Sequence, residues 1–261
     1  MGKFIDVQRH GKIAEVLLDR PETYNAFNLE MISSLAEVLT RLATDDQVKG
    51  IVLAGKGKAF CAGGDLKWGV QFPEGPLAAF HTLAGQLHLA VAEIKRMGKP
   101  VVGALHGAAA GAGFSLALAC DFRVMEKSAF LLQAYTSNGL CIDGGGTFTL
   151  PRLVGLARAL EIAAFDEKIG SEQALGWGLV TKVVEDGKAF EEALSMLDTL
   201  SQKSMQSFGV SKRLLNDSFN TSLEAQLEAE RRLLGKCVSH SDGKEGLNAF
   251  VEKRRPVFSS T

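Results

Sequence analysis

Cysteine is scarce in this sequence, and its four residues are widely separated. They stand at Cys61, Cys120, Cys141 and Cys237 among 261 residues, without a Cys-x-x-Cys pair. This spacing argues against a disulfide framework and against a structural zinc site. A chain that carries dispersed, unpaired cysteines is expected in the reducing cytoplasm, and we predict no metal site.

Neither sign of charge is in excess, because 29 Lys and Arg residues balance 30 Asp and Glu residues for a net charge of −1. The chain therefore lacks the broad basic surface that nucleic acids or anionic membranes require, and a small-molecule substrate fits better. The apolar run 101–120 is interrupted by Gly103, Gly107, Gly111 and Gly113. We predict a buried strand, turn and helix there, not a membrane span.

Several nucleotide and nucleophile motifs are missing. The stretch Gly111-Ala-Gly113-Phe-Ser-Leu116 lacks the third glycine of a dinucleotide fingerprint, and Gly55-Lys-Gly-Lys58 lacks the Ser or Thr that ends a P-loop. No Gly-x-Ser-x-Gly elbow is present, and the five histidines are scattered. These absences disfavour dinucleotide redox chemistry, nucleotide hydrolysis and serine-nucleophile catalysis.

Alternating strand-like and helical patterns indicate an α/β fold with a mainly parallel sheet. The predicted strands are Ile13–Leu18, Gly50–Ala54, Val101–Leu105, Phe122–Met125 and Val180–Val184. The predicted helices are Leu29–Ala43, Pro76–Met97, Ala112–Cys120, Leu156–Phe165, Ser171–Trp177 and Lys188–Ser204, followed by further helices. With 46% hydrophobic residues, the chain can bury one substantial core.

Three glycine-rich turns follow apolar segments and are the most informative feature of the chain. Bare backbone amides in such turns can approach a ligand, and the second turn opens directly into an apolar helix. Amides at a helix N-terminus suit a developing negative charge, so we predict an oxyanion site. The three turns are Phe60-Cys-Ala-Gly-Gly-Asp65, Gly107-Ala-Ala-Ala-Gly-Ala-Gly113 and Ile142-Asp-Gly-Gly-Gly-Thr147.

Asp143 stands in an apolar neighbourhood, between Leu140-Cys-Ile142 and three glycines. A carboxylate is costly to bury there, and desolvation would raise its pKa toward a range useful for proton transfer. The alternative is that Asp143 caps a helix beginning near Thr147. Local physics gives these two interpretations equal weight.

The last two helices have capping-box spacing at Thr221-x-x-Glu224 and Asp242-x-x-Glu245, and Pro256 is expected to stop the final helix. Leu247, Phe250 and Val251 make that final helix amphipathic. Its apolar face packs either on its own domain or against another subunit.

Together these motifs resemble the crotonase (enoyl-CoA hydratase/isomerase) superfamily over nearly the whole chain. The resemblance implies a spiral of ββα units over residues 1–195 and a C-terminal helical region over 196–261 that assembles trimers, often paired into hexamers. Its landmarks are Asp19-Arg-Pro21 with Asn25-Ala26, Phe60 to Asp65, Lys99-Pro-Val-Val-Gly103, Gly107 to Asp121, Gly144-Gly-Gly-Thr147, Ala174 to Val180, and Glu245-Gly-x-x-Ala-Phe-x-Glu-Lys-Arg254.

In that family two backbone amides hold the thioester carbonyl of an acyl-CoA, and the matching positions here are Gly64 and Ala112. The resemblance thus implies an acyl-CoA substrate, with coenzyme A part of the substrate and no permanently bound cofactor. It also implies that Phe250 and Lys253 of a neighbouring subunit contact the coenzyme A. The coenzyme A contacts expected from the same chain are Ala62, Gly64, Asp65, Leu66 and Lys67.

Hydratases of the family carry two catalytic glutamates, and Ser115 and Tyr135 stand at the matching positions. Neither replaces a carboxylate base at neutral pH. The pattern from Gln133 to Thr147 is instead similar to ring 1,2-epoxyphenylacetyl-CoA isomerases, in which an aspartate matching Asp143 shuttles the proton. This resemblance favours the catalytic interpretation of Asp143. The expected acyl pocket comprises Trp68, Phe72, Phe80, Leu83, Leu87, Ser115 and Tyr135.

The sequence therefore predicts an enoyl-CoA isomerase in which Gly64 and Ala112 stabilise a thioester enolate and Asp143 moves a proton. One alternative is an enoyl-CoA hydratase that uses Asp143 and an unconventional water site. Another is a dehalogenase or a C–C bond-forming enzyme of the same superfamily. A non-catalytic acyl-CoA- or RNA-binding member is the alternative from a different class.

Overall fold

The computed structural model describes residues 4–258 as a mixed α/β fold. Ten α-helices lie in this part of the chain, and they surround two sheets. The strands are β1 Ile5–His10, β2 Ile13–Leu18, β3 Gly50–Gly55, β4 Val101–Leu105, β5 Ala108–Ala110, β6 Phe122–Glu126, β7 Phe130–Leu132, β8 Ile169–Gly170 and β9 Lys182–Val184. The helices are α1 Leu29–Ala43, α2 Leu66–Val70, α3 Pro76–Arg96, α4 Ala112–Ala119, α5 Gly146–Phe165, α6 Ser171–Gly176, α7 Ala189–Ser201, α8 Met205–Asp217, α9 Leu223–Ser239 and α10 Ser241–Val251.

The larger sheet has six strands in the order β1-β2-β3-β4-β6-β9. Only the β1–β2 hairpin is antiparallel in this sheet, and each later pair of neighbours is parallel. The smaller sheet has the order β5-β7-β8. The predicted parallel α/β architecture is thus confirmed, while β1, β5, β7 and β8 are strands that the periodicity missed, three of them because two or three residues carry too little pattern.

The large sheet is buried on both faces, as parallel strands require. Val52 and Val102 point to one face, where Ala193 and Leu197 of α7 pack against them. The other face joins the main core, which α1, α3 and α4 help to fill. Because α7 covers the sheet and runs through residue 195, the predicted division between 1–195 and 196–261 falls within a helix of the core.

The apolar run 101–120 forms β4, β5 and α4, so the predicted strand, turn and helix are present with one extra short strand. All eight residues of α4 are buried. A helix that is apolar on every side is stable only inside a core, which is where α4 lies. Within residues 4–258, no helix combines the length and apolar character that crossing a bilayer requires.

Three ends of the two last helices, α9 and α10, differ from the sequence prediction. Ser222, not Thr221, caps α9 by accepting a hydrogen bond from Ala225 N, so that predicted cap is wrong by one residue. The cap of α10 is His240, and Asp242 lies in the first helical turn. The helix α10 ends at Val251, before Pro256 is reached. At the start of α9, short polar residues stand at both adjacent positions, Thr221 and Ser222, and the pattern alone does not choose between them.

The helix α5 begins at Gly146 and bends at Gly155, which has φ 76° and ψ 161° inside the helical span. This is a conformation that glycine adopts without steric cost. The predicted helix Leu156–Phe165 is therefore the second arm of α5. The first arm begins at Gly146, within the third glycine-rich turn.

A buried ion pair ties α8 to the start of β4. The Asp121 carboxylate accepts hydrogen bonds from Lys212 Nζ at 2.6 Å and from Val101 N at 2.9 Å. Lys212 Nζ also donates to Lys99 O at 3.0 Å. Only 4% of the Lys212 side chain and 11% of the Asp121 side chain are exposed, so each charge depends on the other for compensation.

Lys212→Ala should destabilise the fold by about 3–5 kcal/mol, because it leaves the Asp121 carboxylate buried and unpaired. Arg213→Ala on the same helix is the matched control, since that side chain is 73% exposed and its ion pair with Asp217 spans 3.7 Å at the surface. Urea unfolding of both variants measures the difference. Equal unfolding midpoints for the two variants would show that the buried pair does not anchor α8.

Candidate functional site

Two of the predicted glycine turns lie against each other. Cys61 and Ala109 form an isolated parallel bridge, in which Ala110 N donates to Cys61 O at 2.9 Å. Beyond it, a side-chain carbon placed on Gly111 would lie only 3.7 Å from Gly63 Cα. The turn after β3 and the turn before α4 therefore bring their backbones together at one point.

Both amides predicted for the oxyanion site are without a hydrogen-bond partner in the described part of the chain. Gly63 O accepts from Phe27 N at 2.7 Å, and Phe27 O accepts from Asp65 N at 2.9 Å, so bonds flank Gly64 on both sides. Ala112 is the first residue of α4, where an amide has no carbonyl one turn earlier. Within residues 4–258, no acceptor is hydrogen-bonded to the amide of Gly64 or Ala112. The positive end of the α4 dipole adds to this donor pair.

Both amide-bearing residues line a cavity of about 350 Å³ with mostly apolar walls. A cavity of this kind, with a few convergent polar groups, is the usual form of a small-molecule site. The predicted residues that line it are Ala62, Gly64, Leu66, Phe80, Leu83, Leu87, Ala112, Tyr135 and Asp143. The lining residues that were not among the predicted site residues are Phe27, Ala84, Gly111, Ala134, Asn138, Leu140 and Cys141.

A larger hollow of about 450 Å³ lies between α5 and α8. Its lining includes Asp121 and Lys212, which satisfy each other in the ion pair described above. Neither glycine-rich turn with a free amide reaches this hollow. The smaller cavity is therefore the candidate for chemistry.

Asp143 enters the cavity beside Tyr135. The Tyr135 hydroxyl donates a short hydrogen bond to Asp143 Oδ1. The helix α5 begins with Gly145 as its cap and has no side-chain cap, so the capping role considered for Asp143 is not observed. The carboxylate is thus directed to Tyr135 and the cavity and away from the helix terminus.

Burial raises the pKa of Asp143 above its ordinary value, while the Tyr135 hydroxyl and the charge of His88 act in the opposite direction. Burial and the Asp143 charge also raise the pKa of Tyr135. The phenol therefore stays protonated and donates a hydrogen bond to the carboxylate. A carboxylate whose pKa is raised is a better proton acceptor once ionised, which is a property of catalytic bases.

Several predicted acyl-pocket residues lie outside the cavity lining. The rings of Trp68 and Phe72 pack on each other with centroids 5.0 Å apart. Ser115 is buried in α4, and its Oγ has no hydrogen-bond partner of good geometry among the described residues. A side-chain carbon on Gly144 would lie 3.0 Å from Ser115 Cβ, and one on Gly146 would lie 2.6 Å from Ser115 Oγ. Ser115 therefore packs against the third glycine turn.

The polar residues of the predicted coenzyme A segment, Asp65 and Lys67, do not line the cavity. Asp65 caps α2 by accepting from Trp68 N and pairs with Arg20 Nη2 at 3.1 Å, so it has a structural task. Lys67 is exposed. Phe250 is 83% exposed at the end of α10, and neither it nor Lys253 lines the cavity of its own chain.

Two missed residues shape the site through their backbones. Phe27 makes hydrogen bonds on both sides of Gly64, and the neighbouring Asn25-Ala26 landmark is the sequence signal that lies nearest to it. Ala134 has φ +55°, a left-handed conformation that an alanine seldom adopts, and its amide donates to the Asp166 carboxylate. Nothing in the local sequence indicates this conformation. Across residues 4–258, no group of three His, Cys, Asp or Glu side chains is arranged to hold a metal ion.

Comparison with known proteins places this geometry in a family. The enoyl-CoA hydratase/isomerase family model matches residues 8–261. A 1,2-epoxyphenylacetyl-CoA isomerase of Escherichia coli K12 is 36% identical, with 95% of each chain covered. A probable enoyl-CoA hydratase of Rhodobacter capsulatus is 39% identical, with 95% of this chain and 94% of that protein covered.

The crystal structure of an enoyl-CoA hydratase from Polaromonas sp. JS666 superposes with a TM-score of 0.90. It is 35% identical, and the match covers 97% of this chain and 98% of that one. The predicted crotonase fold is therefore confirmed, including the presence of C-terminal helices. The chain therefore belongs to the enoyl-CoA hydratase/isomerase family.

Proposed function

We propose that this protein is an enoyl-CoA isomerase that moves a proton along the acyl chain of a coenzyme A thioester. The observation that carries the proposal is the placement of one carboxylate, Asp143, in the same apolar cavity as the free amides of Gly64 and Ala112. Asp143 is the only Asp or Glu among the cavity-lining residues of the described chain. The similarity to a 1,2-epoxyphenylacetyl-CoA isomerase supports this choice.

The two amides bind the thioester oxygen and stabilise the negative charge that forms on it when a proton leaves C2 of a 3-enoyl thioester. Asp143 accepts that proton as its carboxylate becomes a carboxylic acid. The electron pair of the broken C–H bond delocalises into a dienolate. Asp143 then returns the proton to C4, which gives the 2-enoyl thioester and restores the carboxylate.

Hydration needs a water molecule held and activated by basic groups, and the hydratases of the family use two glutamates for it. The matching positions carry Ser115, which does not line the cavity, and Tyr135, whose hydroxyl is engaged with Asp143. The similarity to a probable enoyl-CoA hydratase keeps hydration as the second candidate. The product of the reaction distinguishes the two.

Within this proposal, coenzyme A enters with the substrate and passes along the segment from Ala62 to Lys67. Leu66 and Lys67 are exposed there and are accessible to a long ligand. Phe250 and Lys253 would contact the coenzyme A of a neighbouring subunit. Their exposure at the end of α10 is compatible with that arrangement.

Self-association is also part of the proposal. The helix α9 has no buried residue, and its apolar side chains Leu223, Leu227 and Leu234 are 68%, 54% and 66% exposed. Such a face is costly in water unless another surface covers it. We expect analytical ultracentrifugation to give three or six times the chain mass of 27.9 kDa. A monomer at micromolar concentration would contradict this expectation.

Asp143→Asn should reduce isomerisation of a medium-chain 3-enoyl-CoA by about 10²- to 10⁴-fold, the usual contribution of one acid–base group. The amide keeps the shape of the side chain but cannot accept the proton. NMR in deuterated water measures both formation of the 2-enoyl isomer and entry of deuterium at C2 or C4. Asp198→Asn makes the same change on an exposed carboxylate and should have no effect.

Each other outcome assigns a different function. A 3-hydroxyacyl-CoA formed from a 2-enoyl substrate would make the protein a hydratase. A trapped acyl-aspartate at Asp143 would make it a dehalogenase with a carboxylate nucleophile. Tight binding of acyl-CoA without turnover, unaffected by Asp143→Ala, would make it a binding protein.

Gly63→Ala tests the oxyanion site by displacing its backbone and leaves every existing side chain unchanged. A methyl group there would lie 2.9 Å from Ala110 O and 3.1 Å from Ala112 N, so the two turns must separate. We expect kcat/KM to fall by about 10²- to 10³-fold, as when one oxyanion donor is lost. Ala112→Pro, which removes the second amide, should have an effect of similar size.

Gly187→Ala is the matched control for Gly63→Ala. Both glycines have positive φ, +79° and +97°, but no atom lies within 4 Å of a methyl group at Gly187. The control therefore reports the cost of the backbone conformation alone. Full activity of a folded Gly63→Ala protein would show that the assigned donors are wrong.

A further inference from the structure

Tyr135 stands where hydratases of the family have a glutamate, yet it is not a base and the proposed proton transfer does not use it. Its side chain is buried, with 7% of the residue exposed, and its ring lines the candidate cavity. The hydroxyl donates to Asp143 Oδ1. A buried phenol needs a hydrogen-bond partner, and here that partner is the proposed catalytic carboxylate itself.

The loop between the two residues is built to bring them together. Tyr135 precedes the short 3-10 turn Thr136–Asn138, and Gly139 follows it with φ +67°. Tyr135 O then accepts from Leu140 N at 3.0 Å, which turns the chain back toward Asp143. The hydrogen bond from Tyr135 to Asp143 thus closes a loop whose backbone is already fixed at both ends.

We propose that Tyr135 is a positioning residue whose hydroxyl directs the Asp143 carboxylate into the cavity and holds it in its proton-accepting form. This inference rests on the proposed proton shuttle and names the group that controls it. A hydrogen bond from a neutral donor to a carboxylate favours the ionised state over the protonated one. Burial favours the opposite, so the two effects together set the pH at which Asp143 becomes a base.

The surroundings of Asp143 contain few other titratable groups. Among the described residues, His88 of α3 acts on it through its charge, and Cys141 of its own loop lines the same cavity. The nearby residue of α4 is Ser115, and α5 begins with glycines, so these two helices place no charged side chain there. Tyr135 is therefore the neutral donor whose removal has the most direct effect.

Tyr135→Phe removes the hydroxyl and keeps the ring. The sign of the effect follows from the hydrogen bond: without the donor, the pKa of Asp143 rises, so the acidic limb of the kcat/KM profile moves to higher pH. At a pH below that limb, kcat/KM should fall about tenfold, as for loss of one hydrogen bond to a charged group. Above the limb, activity should remain within a few-fold of the original.

Tyr24→Phe is the matched control, because Tyr24 is the other of the two tyrosines and is 54% exposed. A second measurement reverses the sign of the change. In the Tyr24→Phe background, biosynthetic 3-fluorotyrosine enters only at Tyr135 and makes its phenol a stronger donor. The acidic limb should then move to lower pH.

Carboxyl ¹³C NMR of Asp143 in the substrate-free protein separates this inference from the proposed function. A higher titration midpoint in Tyr135→Phe supports the positioning role even if the wild-type protein does not isomerise the test substrate. An unchanged midpoint, or a rate that falls equally at every pH, overturns the positioning role and leaves the proton shuttle of Asp143 standing. Absence of turnover by the wild-type protein, with the midpoint shifted as expected in Tyr135→Phe, would count against the proposed function only.

Discussion

The contact between two glycine turns is the constraint on which the site depends. A side-chain carbon on Gly113 would lie 2.3 Å from Cys61 O, and one on Gly107 would lie 2.0 Å from Lys58 O. Only glycine permits backbones to approach this closely. The approach aligns the turn after β3 with the N-terminus of α4, and this alignment leaves the amides of Gly64 and Ala112 free on the same cavity wall.

The rest of the fold holds that contact in place. The parallel strands β3 and β4 are neighbours in the large sheet, so the segments that follow their carboxyl ends start side by side. The Asn25 side chain then binds the backbone of the segment that follows β3, donating to Lys56 O at 2.9 Å and to Ala59 O at 2.8 Å. A buried amide with this many partners fixes a loop that has no regular hydrogen bonding of its own. These bonds from Asn25 hold the segment that leads from β3 into the first glycine turn.

Local chemistry explains which parts of this arrangement the sequence could predict. The glycine turns and the all-apolar α4 each depend on consecutive residues, so the sequence predicts them directly. The same holds for the unusual position of Asp143 among apolar neighbours. The left-handed backbone of Ala134 depends on Asp166, which is distant in sequence, and no local pattern announces it. Trp68 and Phe72 have the character of pocket residues but pack on each other, because apolar spacing does not say which apolar surface a ring will meet. The roles of Phe250 and Lys253 involve a second chain and remain predictions.

In the proposed isomerase, the balance of burial and hydrogen bonding around Asp143 allows one carboxylate to serve where related hydratases use two. Burial favours the protonated acid, which cannot accept a proton, whereas solvation favours the ionised form and makes it a weaker base. Tyr135 offsets part of the burial without adding a charge or a second base. A single group that removes a proton and returns it suffices for isomerisation, since no atom of water enters the product. Addition of water needs that molecule to be held as well, and the positions that would hold it carry a buried serine and a tyrosine bound to Asp143.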